Sequence, residues 1–368
     1  VTGWKRLRDL ELDVTAVQIQ ELAMLTGPQW TRRTRRIQFD GPGPRAGSLE
    51  SGAGEDVSWA EVLPDEIFAL YPEDLLCWRG SFGDWSARLD AREQTPAYLS
   101  LANARVSEPD YLRWGLESAA IELALRQNQT NLEVVLQRTA QPLRFCLSMG
   151  LGQPPSTETV RAWRRQGDYR FKLDASSAWS DELVAELTSL NCVEVVDLKA
   201  YYRDSPVDQA VDPALYARVA QGMPQAVLED ALPNSETLAI LAPHFARLAW
   251  DAPIHSVADI PRTVPQEWGT PHYLNIKPSR FGTWRRLLEA YAWAEQQKVH
   301  CYGGGQFELG IGRAQAQALA SLFHPQHAND LAPTVFHQAE PQAGLPVNEL
   351  PLEAISETAW LAGSRRPD

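Results

Sequence analysis

The chain has 368 residues, 44% of them hydrophobic, and its 34 Lys and Arg against 47 Asp and Glu give a formal net charge of -13. That balance opposes a phosphate-backbone partner, and no apolar run is long enough to cross a bilayer, so nucleic-acid and membrane roles are set aside. A soluble protein large enough for two domains, or for a barrel with an appendage, is expected. Its default location is cytoplasmic, because the opening VTGWKRLRDLELD is too charged for a secretory core.

Residues 1–140 show no repeating unit. LELDVTAVQIQEL and TRRTRRIQFDG read as strands, with the arginine-dense TRRTRR at 31–36 taken as an exposed strand edge and the terminal SRRPD as a frayed tail. GPGPRAGSLESGAGEDVSW reads as a mobile loop leading into another strand. EPDYLRWGLESAAIELALRQ starts on a proline and an acid and then places Leu116, Ala119, Ala120 and Leu123 on one stripe, the pattern of a long helix. Together they predict a small α+β unit.

From about residue 143 short apolar runs alternate with amphipathic ones. The predicted strands are 143–150, 169–174, 193–199, 226–232, 247–254, 272–278 and 299–305, with a short last strand near APTVFH at 332–337. Repeated βα units imply a parallel sheet with helices outside it, and seven or eight of them favour closure into a barrel. An open nucleotide-binding sheet is the rival, but LSMGLGQPPS carries only a partial glycine motif. The four cysteines are far apart and include no CxxC pair, so neither a zinc site nor a disulfide framework is indicated.

The strand ends carry Lys172, Asp197, Glu229, Asp251 and Lys277, at intervals of 25, 32, 22 and 26 residues. In a βα barrel each interval is one repeat, so the five side chains emerge side by side at the mouth where barrel enzymes keep their active sites. Three neighbouring carboxylates repel one another, and a hard divalent cation such as Mg²⁺ resolves the conflict. Lysines flanking that ion are expected to have their pKa lowered toward the range useful to a general base. Each acid taken singly also reads as a helix cap, and each lysine as a snorkelling stem.

LNIKPSRFG and GGGQFELGIGR, with AVLEDALP and WDAPIHSVADI, resemble the enolase superfamily and within it the muconate lactonizing enzyme subgroup. The resemblance implies a modified TIM (β/α) barrel, an α/β fold, under an N-terminal α+β capping domain. On it, residues 1–140 form the cap, 141–340 the barrel, and 341–368 a segment packing back on the cap. It implies Lys172 and Lys277 as catalytic lysines on either face of the substrate, and Asp197, Glu229 and Asp251 as Mg²⁺ ligands. Arg170 shares the paired basic motif of the second strand with Lys172, and Lys199 and Glu308 are candidates for touching substrate. LDASSAWS at 173–180 also looks like the third-strand motif, which would make Asp174 the ligand; the 55 residues from there to Glu229 argue against it.

Two departures from the family pattern stand out. Lys199 replaces an asparagine two residues after the third-strand acid, and Ala252 replaces an acid after the fifth. The implied activity is Mg²⁺-dependent removal of the α-proton of a small-molecule carboxylate. The resulting enediolate is followed by epimerisation, cycloisomerisation or β-elimination, in a protein that acts alone or as a homo-oligomer. Loops 22–32 and 41–54 of the cap are the candidates for setting substrate choice. A metal-binding barrel without catalysis and a structural scaffold are the alternatives.

Overall fold

The protein is described by a computed structural model covering residues 2–27, 30–59, 61–105, 108–202, 209–355 and 360–361; the terminal SRRPD run and residues 28–29 of the predicted cap loop lie outside the described residues. The N-terminal part begins with a helix, Thr2–Arg8, and continues through β1 (Glu11–Val14), β2 (Ala16–Gly27), β3 (Trp30–Pro42), β4 (Leu49–Asp56) and β5 (Trp78–Ser81). Strands β2, β3 and β4 form an antiparallel sheet, and β1 pairs with β5.

The arginine-dense run expected at a strand edge lies in β3, the middle strand of that sheet. A middle strand has neighbours on both sides: Arg33 and Arg36 face solvent, whereas Arg32 and Arg35 are buried and bonded. Arg35 Nε donates to Asp56 Oδ2 at 2.9 Å, and Arg32 Nη2 donates to the carbonyls of Val57 and Gln306 at 2.7 and 2.9 Å. The glycine-rich segment expected as a loop supplies β4. A Cβ at Gly52 would stand 2.2 Å from Leu123 N, and one at Gly54 would stand 2.0 Å from Gly115 O. Glycine there lets the helix Pro109–Gln127 lie directly on the strand.

The second part contains β6 (Leu143–Arg144), then the parallel strands β7 (Leu147–Gly150), β8 (Phe171–Asp174), β9 (Val193–Asp197), β10 (Val227–Glu229), β11 (Leu248–Trp250), β12 (Tyr273–Ile276) and β13 (His300–Gly303), and finally β14 (Glu349–Leu350), antiparallel to β6. Strands β7 to β13 follow one another in chain order across a single sheet. Helices Glu158–Gln166, Asp181–Leu190, Pro213–Gly222, Trp284–Gln297 and Ile311–Phe323 cover its outside. Ser180, Asp212 and Thr283 cap three of them by accepting bonds from backbone N–H groups of the first turn. The last is capped from the other domain: Glu55 of β4 accepts the N–H groups of Leu309, Gly310 and Gly312 at 2.7, 2.9 and 2.9 Å.

The predicted eighth strand at 332–337 is instead a 3₁₀ turn, Thr334–His337. Closure occurs earlier and with fewer residues. Asn329 bridges to Phe145 and Asp330 to Gly304, both in parallel sense, so two residues join the edges of the sheet. The Asn329 side chain, fully buried, accepts from Gly303 N at 2.6 Å and donates to the carbonyl of Arg144 at 2.8 Å, holding both edges. His324 Nδ1 lies 2.7 Å from Asn329 Oδ1, and its Nε2 lies 3.0 Å from the Tyr291 hydroxyl.

Asn329→Ala removes bonds to both edges and leaves buried partners unpaired, so a loss of about 3 kcal/mol in urea unfolding is expected. Burial, reinforced by neighbouring His327, pushes His324 down to about 4, whereas the unfolded chain takes up this proton near the usual histidine value of about 6.5. His324 therefore contributes its full stability above pH 6.5 and loses it as the pH falls toward 4, a change of about 3 kcal/mol. Thermal unfolding across that interval should show a steeper decline in the native protein than in His324→Gln.

Candidate active site

The ladder between β9 and β10 pairs Asp197 with Glu229, and that between β8 and β9 pairs Asp174 with Asp197. Side chains that lie levels apart in sequence thereby meet at the C-terminal ends of adjacent strands, the functional end of a parallel barrel. Asp197, Glu229, Asp230 and Asp251 are all 0% exposed, and Lys172 is 1% and Lys277 6% exposed. Carboxylates so deeply buried demand partners.

Each has them. The Lys172 ammonium bonds Glu229 Oε1 and lies 3.2 Å from Asp197 Oδ2 and 3.7 Å from Asp330 Oδ2. Lys277 Nζ lies 2.7 Å from Asp251 Oδ2, and Arg280 bonds the other oxygen of the same acid. The Tyr202 hydroxyl donates to Asp251 Oδ2 at 2.9 Å. Glu229 Oε2 accepts from Asn275 Nδ2 at 3.1 Å and from the Tyr302 hydroxyl. Asp230 accepts the backbone N–H groups of Asp251 and Ala252 at 2.8 and 3.0 Å, which ties the end of β10 to the end of β11.

Lys172 on β8 and Lys277 after β12 are separated by the three strands that carry the acids, so one lysine stands on each side of the carboxylate group. Oxygens of Asp197, Glu229 and Asp230 all lie within 4.8 Å of one another, a buried all-oxygen donor set of the kind that suits a hard divalent cation. Asp251, expected as the third member, lies next to this group through its bond to Asp230 and is held by Lys277 and Arg280. Lys199 is at the mouth, 2.6 Å from Asp197 Oδ2 and 3.2 Å from Asp174 Oδ1. Arg170 is not brought there: it precedes β8, where it bonds Glu194 Oε1 at 2.7 Å and the carbonyl of Asn191. Glu308 is buried beside Arg313, 3.1 Å away, and accepts the N–H of Gln306.

Burial pushes Glu229 up to about 8, with Asp197 and Asp251 adding to it against the pull of Lys172, and pushes Asp230 up to about 7. Burial also opposes ionisation of Asp197 and Asp251, but Lys199 and Lys172 outweigh it at Asp197, and Arg280 and Lys277 outweigh it at Asp251, holding both carboxyls well below the usual range. Burial does pull Lys172 and Lys277 down, yet Glu229 and Asp197 beside the first and Asp251 beside the second more than reverse it, and both ammonium groups are held above their ordinary value.

Several members of the site were missed from the sequence. Asn275 sits on β12 two residues before Lys277, which follows the strand directly, so period-two alternation places both toward the interior. Arg280 and Asp230 lie within LNIKPSRFG and AVLEDALP, the very stretches singled out. Asp330 and Tyr202 carry no local signal. Where the cap meets the loop after β13, Trp30 stacks on Trp59 with centroids 5.9 Å apart and packs edge-on against Phe307 at 5.4 Å. Trp30 belongs to the predicted specificity loop 22–32.

Residues 139–338 match the family model described as the C-terminal domain of a domain of unknown function (DUF8230), and residues 5–135 match its N-terminal domain. The chain is 25% identical over 212 residues to an o-succinylbenzoate synthase of Bacillus subtilis (strain 168), covering 56% of this chain and 55% of that protein. It is 24% identical over 243 residues to an N-succinylamino acid racemase of Amycolatopsis sp, covering 64% of each. The chain thus spans less than two thirds of the length of either curated relative. Among solved structures, an enolase superfamily member of unknown role from Enterococcus faecalis V583 superposes with a TM-score of 0.64 at 18% identity, over 88% of this chain and 87% of that one.

The Arg280 to Asp251 pair is buried on both sides. Arg280→Met should therefore lower unfolding stability by about 3–5 kcal/mol, because Asp251 keeps its charge with one cation fewer. Arg165→Met, which breaks an exposed pair with Glu158, should cost under about 1 kcal/mol in the same denaturant titration.

Proposed function

The chain belongs to the DUF8230 family and has the fold of the enolase superfamily, and on that premise we propose that it is an enzyme that removes the α-proton of a small carboxylate substrate with the help of Mg²⁺. The observation that carries this reading is the pair of buried lysines on opposite sides of a buried carboxylate group at the functional end of a parallel barrel. A structural ion-pair network has no need of that placement.

The donor set fits a hard divalent cation in kind and in number. Asp197 and Glu229 would hold it, with the linked pair Asp230 and Asp251 supplying the third carboxylate. When bound, the cation supplies positive charge where negative charge grows on the substrate as the proton leaves. The remaining work belongs to side chains of this chain. Lys172 and Lys277 stand on opposite sides of the carboxylates, so one would take the proton while the other faces it as acid or as cation. Asn275 and Tyr302 fix Glu229 in place by bonds to one of its oxygens. Tyr202 and Arg280 do the same for Asp251. Near-complete burial of these groups keeps bulk water from the carbanion.

By name, one curated relative makes a succinyl compound and the other racemises one. Epimerisation, cycloisomerisation and β-elimination share the same first step, so proton removal is the common ground of this proposal. A non-catalytic barrel is the competing reading, favoured by the lysines that already pair with Glu229, Asp197 and Asp251.

A panel of succinylated amino acids, dipeptides and succinylbenzoate precursors incubated in D₂O with MgCl₂ should show α-proton exchange by NMR. Lys172→Met and Lys277→Met should each slow that exchange by about 10²- to 10⁴-fold while circular dichroism stays unchanged. Exchange that persists in both variants sinks the lysine assignment, and its absence across the panel for the native protein favours the binding barrel. A Cβ at Gly304 would stand 2.6 Å from Lys277 Cε and 2.5 Å from Asn275 Oδ1. Gly304→Ala should therefore slow exchange by displacing that lysine, with Lys172 left where it is.

A further inference from the structure

Lys199 holds Asp197 from two directions. Its backbone N–H donates to Asp197 Oδ1 at 3.0 Å and its ammonium donates to Oδ2 at 2.6 Å, so a single residue supplies donors to both oxygens of that carboxylate. A left-handed backbone, with φ of 52°, accompanies this hold. A divalent cation binds carboxylate oxygen at about 2.0–2.1 Å when it is Mg²⁺. An ammonium on the same oxygen obstructs that approach by its volume and by its charge.

The acids at the mouth already have cations beside them. Asp197, Glu229, Asp230 and Asp251 face Lys172, Lys199, Lys277 and Arg280, all of them buried or nearly so. Adding a divalent cation to that set without moving any member brings like charges together in a poorly solvated space. One member has somewhere to go. Asp174 Oδ1 lies 3.2 Å from Lys199 Nζ, is itself buried, and has no hydrogen-bond partner among the described residues. The β8 to β9 register places Asp174 directly beside Asp197, so the ammonium stands between a carboxylate it now bonds and one that offers it an unused acceptor.

We infer that Lys199 is an internal rival of the divalent cation: its ammonium rests on Asp197 in the metal-free protein and passes to Asp174 Oδ1 as the ion takes Asp197. This rests on the metal reading given under the proposed function and extends it, by making occupancy of the site conditional on the shift of one side chain. Asp174 is a receiving group in this arrangement and coordinates nothing. Affinity for the ion is correspondingly reduced by the cost of moving the lysine.

Calorimetric titration of the EDTA-stripped full chain with MgCl₂ alone tests it, using the native protein, Lys199→Asn, Asp174→Asn and the double variant. Lys199→Asn should bind Mg²⁺ about tenfold more tightly than the native chain, and Asp174→Asn about tenfold more weakly. In the Lys199→Asn background the Asp174 substitution should change affinity by less than about twofold, because no ammonium is left to receive. Equal affinity in the native protein and Lys199→Asn overturns the inference. So does an Asp174 effect of the same size with and without Lys199, which would mark Asp174 as a ligand or a plain background charge. Absence of Mg²⁺ binding in all four proteins overturns the metal reading itself. If Lys199→Asn fails to fold, Lys199→Gln takes its place; if both fail, Asp174→Asn decides alone, with unchanged affinity counting against the inference.

Discussion

Burying four carboxylates at the end of one sheet is the constraint from which most of this molecule follows. Ionised acids removed from water cost several kcal/mol each unless cations and donors surround them. Here Lys172, Lys199, Lys277 and Arg280 do so, reinforced by hydroxyl and amide groups from Tyr202, Tyr302 and Asn275. The short strands serve this end. Strands β8 to β13 are only three to five residues long, just enough to set a ladder register that brings Asp174, Asp197 and Glu229 level with one another. The apolar remainder of each βα unit packs outward against the helices.

Neutralisation by fixed side chains gives the site two faces. It stabilises the acids, and it also holds the lysines protonated, because the partners that relieve the carboxylates relieve the ammonium groups equally. On the proposed function, chemistry at these lysines would need that balance to be broken from outside, by charge brought in with a cation and a substrate. Mutual compensation of this sort couples the groups tightly enough that none of them acts alone.

The barrel was legible in the sequence because its signals are local and repeated, and of the cap mainly the long helix Pro109–Gln127 was. Alternation of apolar runs with amphipathic segments marked β7 to β13, and strand-end polar residues marked Lys172, Asp197, Glu229, Asp251 and Lys277. What escaped depends on contacts far apart along the chain. The buried role of Arg32 and Arg35 is set by strand order, with β3 in the middle, and composition alone made them look solvated. The glycines of β4 read as a loop because their purpose, close approach of a helix more than sixty residues away, leaves no local trace. The closing segment at Asn329 and Asp330 is too short to have a periodicity. Arg170 shares the inward phase of Lys172 but lies one step below the mouth, a depth that spacing does not encode.

Glu55 has a further consequence. A carboxylate from the first domain terminates a helix of the second, and Arg32 clasps the carbonyl of Gln306 in the same neighbourhood. Separating the halves would break these bonds and open both surfaces to water, so the two are expected to unfold together despite the boundary between the two family matches. Truncation at that boundary yields fragments with exposed wounds, and denaturation of the intact chain is expected to be one cooperative event in place of two.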